Sequence, residues 1–219
     1  LVIGLSGLLR HQLHSAGKSF VITVSLVAAV LAVNSYRQAT RWRSEGELWR
    51  YAVKTNDNAW QPHMILGAKC FEKEQFEAAL EHFAKAAKLR PDLVETQEAY
   101  ALVLIRIGQG EQASALLENA LQKQAGQRKL ELLLVAAYVE SEASTKAESL
   151  AKKLVADDPG NFRARALLGS ALLQLARYAA AAKEFQEILK IDSANKEAQE
   201  GLATAFKGLH GAKERDESS

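Results

Sequence analysis

The feature that most constrains this chain is self-similarity at a fixed spacing. Starting at Trp60 and stepping by 34 residues opens frames at Trp60, Val94, Arg128, Phe162 and Lys196, with no insertion needed. Like residues recur at like offsets. The seventh position is Leu66, Tyr100, Leu134, Leu168 and Leu202; the eighth is Gly67, Ala101, Val135 and Gly169. The eleventh is Cys70, Leu104, Tyr138, Leu172 and Phe206; the twentieth is Ala79, Ala113, Ala147 and Ala181. The twenty-fourth is Phe83, Leu117, Ala151 and Phe185, and the thirty-second is Pro91, Ala125, Pro159 and Ser193. A period of this length marks stacked supersecondary units, each too small to bury its apolar face alone.

Within a frame the pattern predicts two amphipathic helices and a tight turn. Small residues at positions eight and twenty let the helices approach closely, and large ones at seven, eleven and twenty-four fill the space between them. Pro62 suits the first turn of its helix. Asp92 with Glu95, and Thr145 with Glu148, have capping-box spacing. Asp158-Pro159-Gly160-Asn161 reads as a turn. Heavy use of Ala, Leu, Glu, Lys and Gln favours helix, and no alternating run reads as a strand.

These offsets resemble the tetratricopeptide repeat over Trp60 to Leu209. The first frame fits best, with Leu66-Gly67, Phe76, Ala79, Phe83, Ala86 and Pro91 where that family places them. Gly110 and Ser144 stand where it has an aromatic, and Val135 where it has a small residue, so the second and third frames are expected to pack more loosely. The resemblance implies an all-α, right-handed superhelical solenoid of about four helix-turn-helix repeats. The frames are 60–93, 94–127, 128–161 and 162–195, with a capping helix over 196–210 and a disordered tail over 211–219. Trp49 and Ala52 fall at second-helix offsets, which makes 38–57 a linker and half-repeat helix.

The N-terminal part reads differently. Phe20 to Val33 carries no charge, and residues 19–37 are expected to form a transmembrane helix, long enough at about 1.5 Å per residue to span a bilayer core. Tyr36, Trp42, Arg37, Arg41 and Arg43 resemble headgroup anchors. Residues 1–18, with the apolar stretch Leu1–Leu9, read as the end of a preceding apolar segment and a loop, either a membrane hairpin or an interfacial stretch. Because the first residue is Leu1, the chain reads as a processed product or a piece of something longer. Residues 1–56 hold seven Lys/Arg against two acids, a net +5, leaving −3 for the remainder. Basic excess beside an apolar run fits membrane attachment, and the mildly acidic repeats argue against nucleic acid.

No spacing calls for catalysis, a metal or a small-molecule cofactor. Cys70 is the single cysteine and occupies a packing position. His63 and His82 fall on separate helices of the first frame and are expected at the surface. The remaining expectation is binding. In tetratricopeptide repeats the second, fifth, ninth and twelfth positions of each first helix line a concave groove. Here they include Met64, Ala68, Phe71, Glu98, Leu102, Ile105, Leu132, Val139, Arg163 and Leu173. The family's carboxylate-clamp pattern of Lys and Asn is absent, which disfavours a chaperone-tail receptor. The apolar middle points either to an amphipathic protein or peptide ligand or to packing between helices. The first expectation is thus a membrane-anchored interaction module with the bilayer as a second partner.

Trp42 to Asp92, with Leu48-Trp49 and the following Leu-Gly, is also similar to the repeat-bearing tails of polytopic O-mannosyltransferase-like glycosyltransferases. That resemblance implies an acceptor-binding tail whose catalytic part lies elsewhere, with the repeats on the extracytoplasmic side. The arginines after the apolar run lean the other way.

Overall fold

The computed structural model describes residues 30–36 and 45–217 and divides the chain into two units, 1–55 and 56–219. In the first unit, residues 30–36 are helical, with Val30, Leu31, Val33 and Tyr36 each at least half exposed. Helix α1 (Glu45–Thr55) follows, and its Trp49 Nε1 is buried without a hydrogen-bond partner.

The second unit is a run of helical hairpins: α2 (Trp60–Glu72) with α3 (Phe76–Leu89), α4 (Val94–Arg106) with α5 (Gly110–Lys123), α6 (Arg128–Glu140) with α7 (Ser144–Asp157), and α8 (Phe162–Gln174) with α9 (Tyr178–Ile191). A terminal helix, α10 (Lys196–Glu217), closes it. Each helix packs on the next in sequence, and each first helix also touches the following first helix. All regular structure among the described residues is helical, as the sequence pattern predicts.

Local chemistry sets the hairpin angle. A Cβ on Gly67 would lie 2.6 Å from the Phe83 ring, and one on Gly169 would lie 2.6 Å from Phe185. Each phenylalanine therefore occupies the volume that the glycine opposite gives up, which brings the two helices close. The third hairpin exchanges the two sizes: position eight is Val135 and position twenty-four is Ala151, both fully buried. The looser packing expected from Val135 does not occur, because the facing residue shrinks as it grows. Gly110 is not a loose spot either. A Cβ there would fall 2.6 Å from Ser141 N and 2.9 Å from Ala137 O, so the missing aromatic is replaced by direct backbone approach. Ser144 is buried and donates to Gln174 Oε1 at 2.7 Å, tying the third hairpin to the fourth.

The turn inside each hairpin repeats to the atom. The fifteenth position is left-handed in all four: Glu74, Gly108, Glu142 and Ala176, with φ of 57°, 76°, 56° and 55°. The next N–H then reaches back to the eleventh carbonyl: Gln75 to Cys70, Gln109 to Leu104, Ala143 to Tyr138 and Arg177 to Leu172, at 2.8–2.9 Å. This is the Schellman closure of a helix C-terminus. Between hairpins, Asn161 caps α8 by accepting from Ala164 N at 3.0 Å. The two expected capping boxes do not form. Asp92 pairs with Arg90 instead, Leu93 is the N-cap of α4, and Ala143 is the N-cap of α7. One continuous core runs from Ala101 to Ala205, and a smaller cluster of Ala79, Phe83 and Val103 fills the first hairpin.

Two boundaries differ from expectation. Helix α10 continues to Glu217, beyond residue 210. The membrane assignment is overturned: among the described residues no helix is long and apolar enough to cross a membrane. Residues 30–36 would supply only about 10 Å of helix at 1.5 Å per residue. The long helix α10 carries charges along its length. The rest of the expected span and the Leu1–Leu9 stretch lie outside the described residues. Membrane localisation, with its extracytoplasmic orientation and its bilayer partner, is withdrawn.

If opposed volumes set the hairpin geometry, Ala151→Phe alone destabilises by about 1–3 kcal/mol through overpacking. Combined with Val135→Gly it costs less than the sum of the two single changes by more than about 0.5 kcal/mol. Urea unfolding of the four proteins measures this, and strictly additive losses refute it. Restoring the family-like aromatic with Gly110→Phe is expected to lower the thermal midpoint rather than raise it.

Candidate protein-binding groove

The first helices α2, α4, α6, α8 and α10 form a contiguous row, and the predicted groove positions lie along it. Met64 and Phe71 are half-buried in the first-hairpin cluster, with the Phe71 and Phe76 rings edge-on at 5.4 Å. Leu102, Ile105, Leu132, Val139 and Leu173 are half-buried against the main core. Ala68 and Arg163 are exposed. Glu98 lies 3.9 Å from Lys129 Nζ, an ion pair that crosses from the second hairpin to the third. The apolar members thus have one flank in the core and the other towards solvent, so they both support the stack and face outward.

Charge at the helix starts changes sign twice along the row. Glu95 and Glu98 lie on α4, Lys129 on α6 and Arg163 on α8, while Glu197 and Glu200 return the sign on α10. The exposed partners in such pairs contribute little to stability, since water screens them.

Polar ties lock neighbouring hairpins behind the row. Gln174 Nε2 donates to Val139 O at 2.9 Å. Tyr138 donates its hydroxyl proton to Glu118 at 2.6 Å, and burial together with that carboxylate pushes the phenol up to about 12. Glu148 accepts from Lys152 at 2.7 Å and from Arg177 at 2.5 Å, which holds its carboxyl below the usual range. Among the described residues no cluster of three or more His, Cys, Asp or Glu is arranged to hold a metal.

The sequence pattern misplaced the histidines. His63 is 4% exposed and its Nδ1 lies 3.1 Å from His82 Nδ1. His63 Nε2 lies 3.2 Å from both the backbone oxygen and Oδ1 of Asp57, while Lys85 pairs with the other Asp57 oxygen. Two acceptors at Nε2 require a proton there, so in the neutral pair His63 Nδ1 accepts and His82 Nδ1 donates. The available signal was their spacing: positions four and twenty-three of one frame face each other across the hairpin. Burial, reinforced by the nearby His63 ring, lowers the His82 pKa from the ordinary 6.5.

The unfolded chain therefore binds protons before the folded one does. Stability is full above pH 6.5 and falls as the pH drops from there towards the folded pKa of His82. Thermal melts between pH 7 and pH 5 are expected to show this loss, and His82→Gln is expected to flatten it; an unchanged slope in the variant contradicts the assignment.

The comparisons agree with this geometry. A family model described as tetratricopeptide repeat matches residues 108–171 and, in a second placement, 138–205. Among solved structures, the MamA fragment 41-end from Desulfovibrio magneticus is 23% identical, with 77% of this chain and 97% of that one aligned at a TM-score of 0.59. YrrB, described as a TPR protein with an unusual peptide-binding site, is 19% identical over 77% and 99% of the two chains, with a TM-score of 0.52. A tetratricopeptide repeat protein from Parabacteroides merdae is 19% identical over 71% and 62%, with a TM-score of 0.55. At these identities the likeness is one of fold. No curated protein matches the chain, and these neighbours lend no support to the glycosyltransferase resemblance.

Proposed function

We propose that this tetratricopeptide repeat protein is an interaction module that holds an amphipathic segment of a protein partner along the row formed by its first helices. The observation that carries the reading is the outward flank of Leu102, Ile105, Leu132, Val139 and Leu173, half-buried in one continuous stripe across three hairpins. Met64, Ala68 and Phe71 extend the stripe at one end. Glu98, Lys129 and Arg163 supply charges of both signs beside it. Such a surface suits a ligand with its own apolar face, which buries apolar area while its charges set the register. The peptide-binding site named for YrrB supports the same use of the fold. The chain acts by holding and positioning, with rigidity supplied by the close-packed hairpins behind the stripe.

Two groove positions test this without disturbing the core. Ala68 and Arg163 are exposed, so Ala68→Arg and Arg163→Glu leave the thermal midpoint within a few degrees. Crosslinking capture with the full chain, quantified by mass spectrometry, is expected to lose at least about tenfold of its specific partners in Ala68→Arg and in Leu132→Asp, since a handful of central contacts dominates such interfaces. Equal capture by folded wild type and all three variants means that the stripe only packs the stack.

A further inference from the structure

Charge along the row of first helices is confined to one edge. At the ninth and twelfth positions α2, α4, α6 and α8 carry no acid or base, and these positions hold most of the apolar stripe. The charges stand at the second and fifth positions, one to two turns nearer the helix starts. There α2 is neutral, with Gln61 and Met64. Glu95 and Glu98 make α4 negative, Lys129 makes α6 positive, Arg163 makes α8 positive, and Glu197 with Glu200 makes α10 negative. All but Glu98 are exposed. Glu98 pairs with Lys129 at 3.9 Å, while among the described residues Glu95, Arg163, Glu197 and Glu200 have no ion-pair partner. Their charges are open to a ligand.

The step between first helices decides which backbone can read this edge. Neighbouring first helices touch, and packed helices lie about 8–10 Å apart. In a helical ligand lying along the row, residues seven apart return to the same flank after about 10.5 Å, close to one step. Every heptad then offers one side chain to the charged edge and its apolar stripe to the floor. An extended ligand advances about 3.3 Å per residue and keeps one face only at even spacings, about 6.6 or 13 Å, neither of which fits the step.

We propose that the groove selects an amphipathic helix whose one flank carries basic, acidic, acidic and basic residues at successive heptads. The basic residues meet α4 and α10, and the acidic ones meet α6 and α8. An uncharged end of the ligand lies on α2, over Met64, Ala68 and Phe71. Register follows from the same order: a slip of one heptad in either direction sets two pairs of like charge together. This inference rests on the groove reading and adds to it the conformation and charge order of the ligand.

The probe is a fluorescein-labelled, amide-ended peptide of five heptads with Leu and Ala on its apolar stripe. Its flank residues are Gln, Lys, Glu, Glu and Lys in order. One counterpart of equal composition carries Gln, Glu, Lys, Lys and Glu, and another keeps the first order with a proline in the second and fourth heptads to break the helix. Each is titrated with the full chain by fluorescence anisotropy. The first peptide is expected to bind at least about tenfold more tightly than either counterpart at low salt, and high salt is expected to shrink its lead over the exchanged order. The Lys129→Glu, Arg163→Glu double variant turns the whole edge negative and is expected to abolish the preference for charge order. Both substitutions are at exposed positions, and circular dichroism checks that the variant is folded. Ala68→Arg is expected to weaken all binding. Equal affinity for the two charge orders, or a preference that survives in the double variant, overturns the proposed order while leaving the groove in place. Undiminished binding of the proline peptide overturns the helical ligand. Binding of none of the three overturns the groove reading as well.

Discussion

Close approach of the two helices within each hairpin is the constraint on which the rest of this structure depends. It is met by opposed volumes. Gly67 faces Phe83 and Gly169 faces Phe185, with no room for a Cβ between ring and backbone. Where Val135 takes the glycine's place, the facing residue is Ala151, and both are sealed from solvent. The sum of the two volumes is kept while its division changes, which is how a close-packed interior tolerates substitution. With that distance set, each hairpin offers a surface on which the next can stack, and the core runs unbroken from Ala101 to Ala205.

The turns show the same dependence from the side of the backbone. Glu74, Glu142 and Ala176 adopt a left-handed conformation that costs a residue with a side chain roughly 1–2 kcal/mol. They hold it because the chain must reverse in two residues, and because the reversal satisfies the carbonyls of Cys70, Tyr138 and Leu172 that the helix end leaves open. Only Gly108 meets the requirement with the residue best suited to it. Packing on both sides therefore outweighs local preference at three of the four turns.

A repetitive scaffold makes its exceptions informative. The row of first helices presents a continuous apolar stripe with mixed charge, a surface suited to a long ligand. Position four bridges to the second helix of its own hairpin in three hairpins, while in the second it is Gln97, which reaches back to Ala87 O of the first hairpin at 3.5 Å. The same position places His63 and His82 against each other in the first hairpin, where burial of the His82 ring links packing to pH. Polar residues inside hairpins thus differentiate units that the apolar residues keep alike.

The period of like residues determined by itself that the repeat region is helical, where its helices begin, and which faces they bury, because stacking requires the same apolar residue at the same phase of every unit. Glycine and alanine at position eight already announced the close approach, and the Asp158–Asn161 turn announced its own geometry. Tertiary structure alone decided the rest. Gly110 reads as a missing aromatic until the Ser141 and Ala137 backbone is seen against it. Asp92 has the spacing of a cap, yet a nearby guanidinium competes for it more strongly than the backbone does. His63 looks like a surface residue until the hairpin closes it against His82. For Gly110 and His63 the outcome depends on which groups from distant parts of the chain come within contact distance. A repeat pattern records what the units share, and cannot record what a single unit meets.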